Sequence, residues 1–593
     1  MSSTAIPSWP PSLTQSQTDS LLSAATDYAL SHGLVYRPLP PPPTSSSSSS
    51  SSPSPPTDSV IHAPFSLVPS PIPRKLFERA RSIQPIYDLL YSSIATDHQF
   101  LEAVIGGSVA KVDEFQAELW KIYQQVHDEG SEQKLHLGLF RSDYLMHQEE
   151  GGQGKGEVGL KQVEFNTISS SFGPLCTKVN ELHRHLALTT SFYNAGKGVL
   201  DQSNLPQNEA LRILSDGLAA GHKAYLSQTG LQGCSINSGA THTHLPYVLF
   251  VVQEGERNAF DQRFLEYELL NRHGIRAIRL TFQELAIRAR LSQEGSEEAS
   301  QILYVSHPSY DEPLEISLVY FRAGYGPGDY PTKREWETRL MLERSFAIKC
   351  PTVALQLAGA KKVQQVLSEE GILEKLLLQA GRYKEEVVAA DGKEGQAVER
   401  KFVEAEVEEV RESFTDLYPM DDSQLGRKAL KLAMESSEGF VLKPQREGGG
   451  NNIYRQDIPV ALRKMEEQDL TSSSGKQGAG DGSEVKRREG YILMSLIKPP
   501  RGIGNILIKS GGSGGQADVQ GSKPSRWIVS KDVVSELGIY GYSLFRPETD
   551  EKDGRVRVLK EESGGFLLRT KGRESDEGGV AVGFSVIDSP VLV

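Results

Sequence analysis

A mixed α/β fold is predicted for this 593-residue chain on three observations. Between residues 246 and 349, apolar runs alternate with helical periodicity. YVLFVVQ, from Tyr247, reads as a buried strand; Phe260, Phe264 and Tyr267 then recur at helical spacing; residues 275–280, 302–305 and 316–321 return to strands. That succession is a βαβ pattern. Next, a helix-rich stretch from about Ala360 to Met434 gives way to GFVL at 439–442, a short strand. Last, the C-terminal third mixes short strands with glycine-rich turns. Upstream, Phe115, Leu119, Ile122, Tyr123 and Val126 predict an amphipathic helix. Leu135, Leu137 and Leu139 alternate with His136 and Gly138, as in a strand that ends near Arg141.

The chain is too long for one simple core, and composition shifts divide it at residues 1–60, 61–245, 246–349 and 350–593. The first part ends in a proline run at 40–43 and a serine run at 45–52, which cannot bury apolar area and predict a disordered linker. Residues 149–156, 292–300, 471–489 and 510–522 have the same character and read as surface insertions. A net charge of -13 argues against a nucleic-acid partner, because phosphate backbones select basic faces. Cys176, Cys234 and Cys350 are odd in number and widely spaced, which argues against a disulfide framework and for a reducing compartment. No apolar run approaches the roughly 18 residues that span a membrane, and the N-terminus has no basic region followed by an apolar one. A cytoplasmic protein is expected. His183 with His185 and His242 with His244 lie two apart, the wrong spacing for one helix face, and no H-E-x-x-H occurs, so a catalytic zinc is not expected.

Six segments carry candidate chemistry. Residues 443–452 read KPQREGGGNN. Gly448, Gly449 and Gly450 have no Cβ, so the backbone there can lie against an anion and turn its N–H groups toward it. Lys443 offers charge to phosphate, Glu447 can hold a hard cation, and Asn451 and Asn452 add amide groups. The stretch is not a Walker A loop, since G-x-x-x-x-G-K-[ST] is absent. A glycine-rich hairpin with an incidental lysine is the alternative. In VEFNTISSSFG, 163–173, Glu164 and Asn166 share one strand face and make half a magnesium site. Ser169, Ser170 and Ser171 follow in a turn that can hold a carboxylate; an ordinary strand edge and serine turn reads equally. Arg141, in RSDY, can clamp a carboxylate bidentately or form a surface ion pair with Asp143. Lys361 and Lys362 in LAGAKKVQQ can reach phosphate or sit on a solvated helix face. In LLRTK, Arg569 and Lys571 share a strand face beside the GGVAVG loop, which is also what a hairpin with two solvated cations looks like. Glu256, Asn258 and Gln262 flank a strand-to-helix junction, where α/β units place ligands and where helices are also capped.

Taken together, KPQREGGGNN, VEFNTISSSFG, LGLFRSDY, QLAGAKKVQQ, ERNAFDQR, SELGIYG and LLRTKGRESDEGGVAVG resemble the eukaryotic-type glutathione synthetase family, in order and from about Arg141 to the C-terminus. The resemblance implies an ATP-grasp fold, with residues 246–349 as an inserted α/β substrate-binding domain and a glycine-rich lid, and a homodimer. It implies an ATP-dependent carboxylate–amine ligase that joins γ-glutamylcysteine to glycine through an acyl phosphate, releasing ADP and phosphate, with Mg2+ as cofactor. It makes Glu164, Asn166 and Glu447 the magnesium ligands. Lys361, Lys443, Glu447, residues 448–450, Asn451, Asn452, Tyr454, Met494, Glu536, Lys571 and Glu577 become the nucleotide site. Arg141, Ser169, Ser170, Ser171, Glu256, Asn258, Gln262, Arg322 and Tyr325 would hold γ-glutamylcysteine, and Arg569, Val580 and Ala581 the glycine end. Charge developing in the reaction falls to Lys361, Lys443 and Arg569. Two positions depart from the family's pattern: Ala323 and Ser495 stand where an acid is common. A ligase for β-alanine or another small amine, and a non-catalytic nucleotide-binding scaffold, are the competing expectations.

Overall fold

The computed structural model describes residues 9–38, 58–148, 158–190, 199–231, 245–292, 301–386, 397–447, 450–473, 486–510, 527–548, 554–575, 580, 583 and 585–593. The predicted linker and most of the four predicted insertions lie outside the described residues.

Helices α1 (Arg74–Ala95) and α2 (Glu114–Glu129) precede the first long strand, β1 (His136–His147), and its partner β2 (Gly159–Asn166). The α2 helix begins where Asp113 accepts a hydrogen bond from Gln116 N and ends at Gly130, and it buries the predicted Phe115–Leu119–Ile122–Tyr123 face. β1 runs six residues past Arg141, so the expected strand end is corrected: Arg141 lies mid-strand. The alternation signal faded there because Phe140, Ser142 and Tyr144 are also buried, leaving no polar face to read.

Helices α3 (Gly173–Thr189) and α4 (Ala210–Gln228) follow, then β3 (Tyr247–Val251), α5 (Ala259–His273), β4 (Ala277–Leu280), β5 (Leu314–Phe321) and β6 (Ile348–Cys350). The predicted βαβ unit is present: β3 pairs β4 in parallel across α5, and β5 pairs β3 and β6 in parallel. The helix-rich stretch contains α6 (Lys361–Ser368) and α7 (Gln424–Glu435), but also short strands at Tyr383–Glu386 and Leu417–Pro419.

β7 (Phe440–Pro444) and β8 (Tyr491–Ser495) join Leu417–Pro419 and Ile453–Tyr454 in a four-stranded sheet. α7 and Asp457–Ser473 cover it, closing a small core of Ala429, Ala433, Leu442, Ile458, Leu462 and Leu493. The C-terminal third corrects the expectation of short strands, for β9 (Val533–Pro547) and β10 (Val556–Gly572) run 15 and 17 residues. The sequence of β10, VRVLKEESGGFLLRTKG, is interrupted by the polar KEESGG, so no single period runs through it. Its neighbours carry it: β9 along one edge, and β11 (Val586–Asp588) and Tyr383–Glu386 along the other.

Among the described residues the large sheet has sixteen strands, and it runs continuously from β11 through β10, β9, β1, β6 and β5. Alternate residues of β1 feed two cores. Phe140, Tyr144 and Met146 pack with α1 and α2, while Leu137 and Leu139 pack with α3 and α4. Cys176 and Cys350 are buried and free, and among the described residues no helix is long and apolar enough to cross a membrane.

Candidate active site

A cavity of about 840 Å³ lies where β2, the start of α6, the ends of β7 and β8, and the β9–β10 pair meet. Backbone geometry brings its charged wall together. Glu164 and Asn166 sit two apart on β2, as predicted, opposite Asp143 and Arg141 of β1. Gly359, just before α6, packs on Thr167 so closely that a Cβ would stand 2.3 Å from the threonine Oγ1. The absence of that Cβ lets Lys361, the first residue of α6, reach the β2 wall. Lys361 is buried, its ammonium 3.0 Å from Glu164 Oε2 and 2.9 Å from Glu447 Oε1. The solvated-face alternative for Lys361 is thereby excluded. Lys443, near the end of β7, is also buried and donates to Val163 O at 2.9 Å.

These groups reset one another's proton affinity. Burial alone would raise the Glu164 carboxyl, but Lys361 and then Lys443 outweigh it and hold it below the ordinary carboxylate range. For Glu447, burial wins over Lys361, and the neighbouring Glu164 adds to the rise. Burial pulls the Lys443 ammonium down despite Glu164, whereas Glu164 and Glu447 together lift Lys361 above its ordinary value against burial. The donor set suits a hard cation: two carboxylates within reach of one ammonium, and an Asn166 whose amide protons are committed to Arg141 O and Asp143 Oδ2, both at 3.0 Å.

Arg141 and Arg569 meet at the cavity floor. The expected surface ion pair of Arg141 with Asp143 exists, but it is buried, with Arg141 Nε 2.6 Å from Asp143 Oδ1. Arg569 pairs with Glu536 and with Asp143. Lys571, two residues along β10, lines the same cavity, as the shared strand face required. The turn after β2 is strained: Ser169 and Phe172 take φ of 52° and 73°. Asp261 of α5 holds it by accepting from Phe172 N and Leu175 N.

Most predicted residues line this one cavity: Arg141, Glu164, Asn166, Ser169, Ser171, Tyr325, Lys361, Lys443, Glu447, Asn451, Asn452, Tyr454, Met494, Glu536, Arg569, Lys571 and Val580. Ser170 does not; its hydroxyl is buried and donates to Leu139 O. Glu256, Asn258, Gln262 and Arg322 lie beyond the cavity lining, behind the strained turn. Arg322 there donates to Ser169 O, and Glu256 accepts from Asn258 N and Gln262 Nε2. Asn258 precedes α5 without capping it through its side chain, and its Oδ1 is buried with no hydrogen-bond partner. Gly448, Gly449, Glu577 and Ala581 lie outside the described residues. Sequence reasoning missed the apolar lining after β8, Leu496 and Ile497, and gave Asp143 only a surface role. An acid two residues from an arginine on one strand face was the available signal.

Glu164, Asn166 and Glu447 share the cavity with the cations Lys361, Lys443, Lys571, Arg141 and Arg569 and with apolar Val441, Met494, Leu496 and Ile497, a lining that suits an ATP-dependent ligase built on a mixed α/β fold. The family described as "Eukaryotic glutathione synthase, ATP binding domain" matches residues 15–592. The glutathione synthetase large chain of Schizosaccharomyces pombe is 35% identical over 584 residues, covering 97% of this chain and 98% of that one. Human glutathione synthetase is 35% identical, covering 97% of each. The chain therefore belongs to the eukaryotic glutathione synthase family. A solved glutathione synthetase-like effector from Globodera pallida, in its apo form, superposes with a TM-score of 0.62 at 20% identity, covering 98% of both chains, and shows the shared fold.

Proposed function

We propose that the chain is a working glutathione synthetase, which phosphorylates γ-glutamylcysteine with ATP and condenses it with glycine. The observation that carries the reading is the buried ammonium of Lys361 held between Glu164 and Glu447, at the wall of a cavity large enough for a nucleotide. Glu164, Asn166 and Glu447 would hold magnesium, which when bound neutralises phosphate charge and orients the phosphate oxygens. Lys361, from the start of α6, and Lys443, from β7, would supply positive charge to the phosphates.

The chemistry needs little beyond placement. A carboxylate oxygen of γ-glutamylcysteine attacks the γ-phosphorus, the bond to the bridging oxygen breaks, and ADP leaves. The glycine nitrogen then attacks the acyl carbon, phosphate departs, and the amine proton passes to solvent. Lys361 and Lys443 stabilise charge on the transferred phosphoryl group, and Arg569 and Lys571 stabilise charge near the acyl oxygen. Glycine entering as the free amine needs position rather than a strong base. Arg141, Ser169, Ser171 and Tyr325 would hold γ-glutamylcysteine in the cavity. Glu256, Asn258, Gln262 and Arg322 would join once the turn they back rearranges. Residues 246–349 would act as the substrate-binding unit, and residues 448–450 and 578–581 as lids that exclude water. A homodimer is proposed from the family, and a cytoplasmic location from the buried free thiols of Cys176 and Cys350.

The test is ADP release by the purified chain with each substrate omitted in turn. Sustained release should require γ-glutamylcysteine and glycine together. Equal release without either, or none with both, overturns the reading.

A further inference from the structure

We infer that Asp143 is a positioning residue that ties the γ-glutamylcysteine, magnesium and glycine ends of the site to one carboxylate; this rests on the ligase reading above. Asp143 is fully buried on β1. Its Oδ1 accepts from Arg141 Nε at 2.6 Å, and its Oδ2 accepts from Arg141 Nη2 at 2.8 Å, Asn166 Nδ2 at 3.0 Å and Arg569 Nη2 at 3.1 Å. The three donor residues come from three strands, β1, β2 and β10, and each serves a different end of the reaction.

The backbone is built around this carboxylate. Gly538 stands opposite Asp143 on β9, and a Cβ there would lie 2.6 Å from Asp143 Oδ1 and 2.8 Å from Arg141 Cδ. Any larger residue would push the carboxylate off its donors. Because Asp143 takes both Nε and Nη2 of Arg141, the guanidinium is fixed in plane, with Nη1 against Ser171 O at 3.1 Å. Because it takes an amide proton of Asn166, it fixes which end of that amide turns toward the metal position. Because it shares Arg569 with Glu536, it limits how far that guanidinium can swing toward glycine.

The experiment compares the parent enzyme with Asp143→Asn and Gly538→Ala. The asparagine keeps the shape but loses the charge and turns a donor toward donors. The alanine keeps the charge and displaces it. Half-saturating Mg2+ and KM for γ-glutamylcysteine and for glycine should all rise about tenfold or more in both variants, the scale of losing a partner of a metal ligand. Mg2+-dependent ADP binding by calorimetry reads the Asn166 arm without turnover and should weaken similarly. Partial rescue is expected in Asp143→Glu. Partial unfolding alone would lower kcat per mole of protein and leave every KM unchanged. That result in either variant, or a change confined to one substrate, overturns the inference. The parent's own turnover judges the ligase reading separately.

Discussion

Glu164 and Asp588 are both carboxylates inside this molecule, and their surroundings treat them oppositely. Glu164 stands at the cavity wall facing Lys361 and Lys443, and those cations hold it ionised. Asp588, at the end of β11, lies wholly buried with Ser70 and Thr570 hydroxyls each donating to Oδ2 at 2.6 Å, and Ser589 N donating to Oδ1 at 2.7 Å. Burial pushes its carboxyl up to about 6, against the pull of those hydroxyls. The Asp588 cluster joins the N-terminal segment to β10 and β11, and its burial favours the protonated form. The Glu164 cluster keeps charge in reserve for a ligand. Cation pairing therefore separates the reactive wall from the structural seam better than burial does.

Substitutions should sharpen that contrast. The largest effect is expected from Lys361→Met, which leaves Glu164 and Glu447 facing each other. Breaking a buried pair of this kind costs about 3–5 kcal/mol, whereas an exposed pair would cost under about 1. Thermal unfolding without metal should show the loss at neutral pH and a smaller loss as pH falls, because burial raises the Glu447 carboxyl. An unchanged midpoint would mean the ammonium is not the wall's counter-ion. Glu447→Gln comes next: turnover at saturating Mg2+ should fall by about a thousandfold, in line with loss of a preorganised charge. Near-normal turnover removes Glu447 from the metal site.

The structural seam gives a pH signature of the opposite sign. Asp588 has a raised folded-state value, so its contribution is full below about pH 4 and is lost as pH rises through about 6. Glu164 is depressed, so its contribution is present above the ordinary carboxylate range and is lost as pH falls. Asp588→Asn mimics the protonated form. Its stability relative to the parent should therefore rise between pH 4 and 7, by about 3 kcal/mol at most for a shift of roughly two units. A flat difference would show that Asp588 does not titrate in that window. The smallest effect is Ser170→Ala, which removes one buried hydrogen bond worth about 1 kcal/mol. KM for γ-glutamylcysteine should stay within about twofold; a larger rise returns Ser170 to the substrate site.

The contrast also explains what the sequence revealed. The βαβ unit and the α2 helix were legible because each buries one regular face, which leaves a period in the chain. Glu164, Asn166, Lys361, Lys443 and Glu447 were legible because each sits in a short stretch with its own chemical logic. β10 was legible only at its LLRTK end, since the pairing of the rest comes from residues far away in sequence. Asp143 was visible only as half of an ion pair, because its other donors, Asn166 and Arg569, arrive from strands 23 and 426 residues further along. Asp588 left no mark, as its partners Ser70, Thr570 and Asn505 are common polar residues with no spacing rule.

On the proposed function, the cation-lined wall turns a carboxylate into an acyl phosphate. γ-Glutamylcysteine labelled with 18O in its cysteinyl carboxylate tests it directly in the presence of ATP, Mg2+ and glycine. The account predicts one labelled oxygen in each phosphate released. Unlabelled phosphate, with peptide formed at the normal rate, would contradict it.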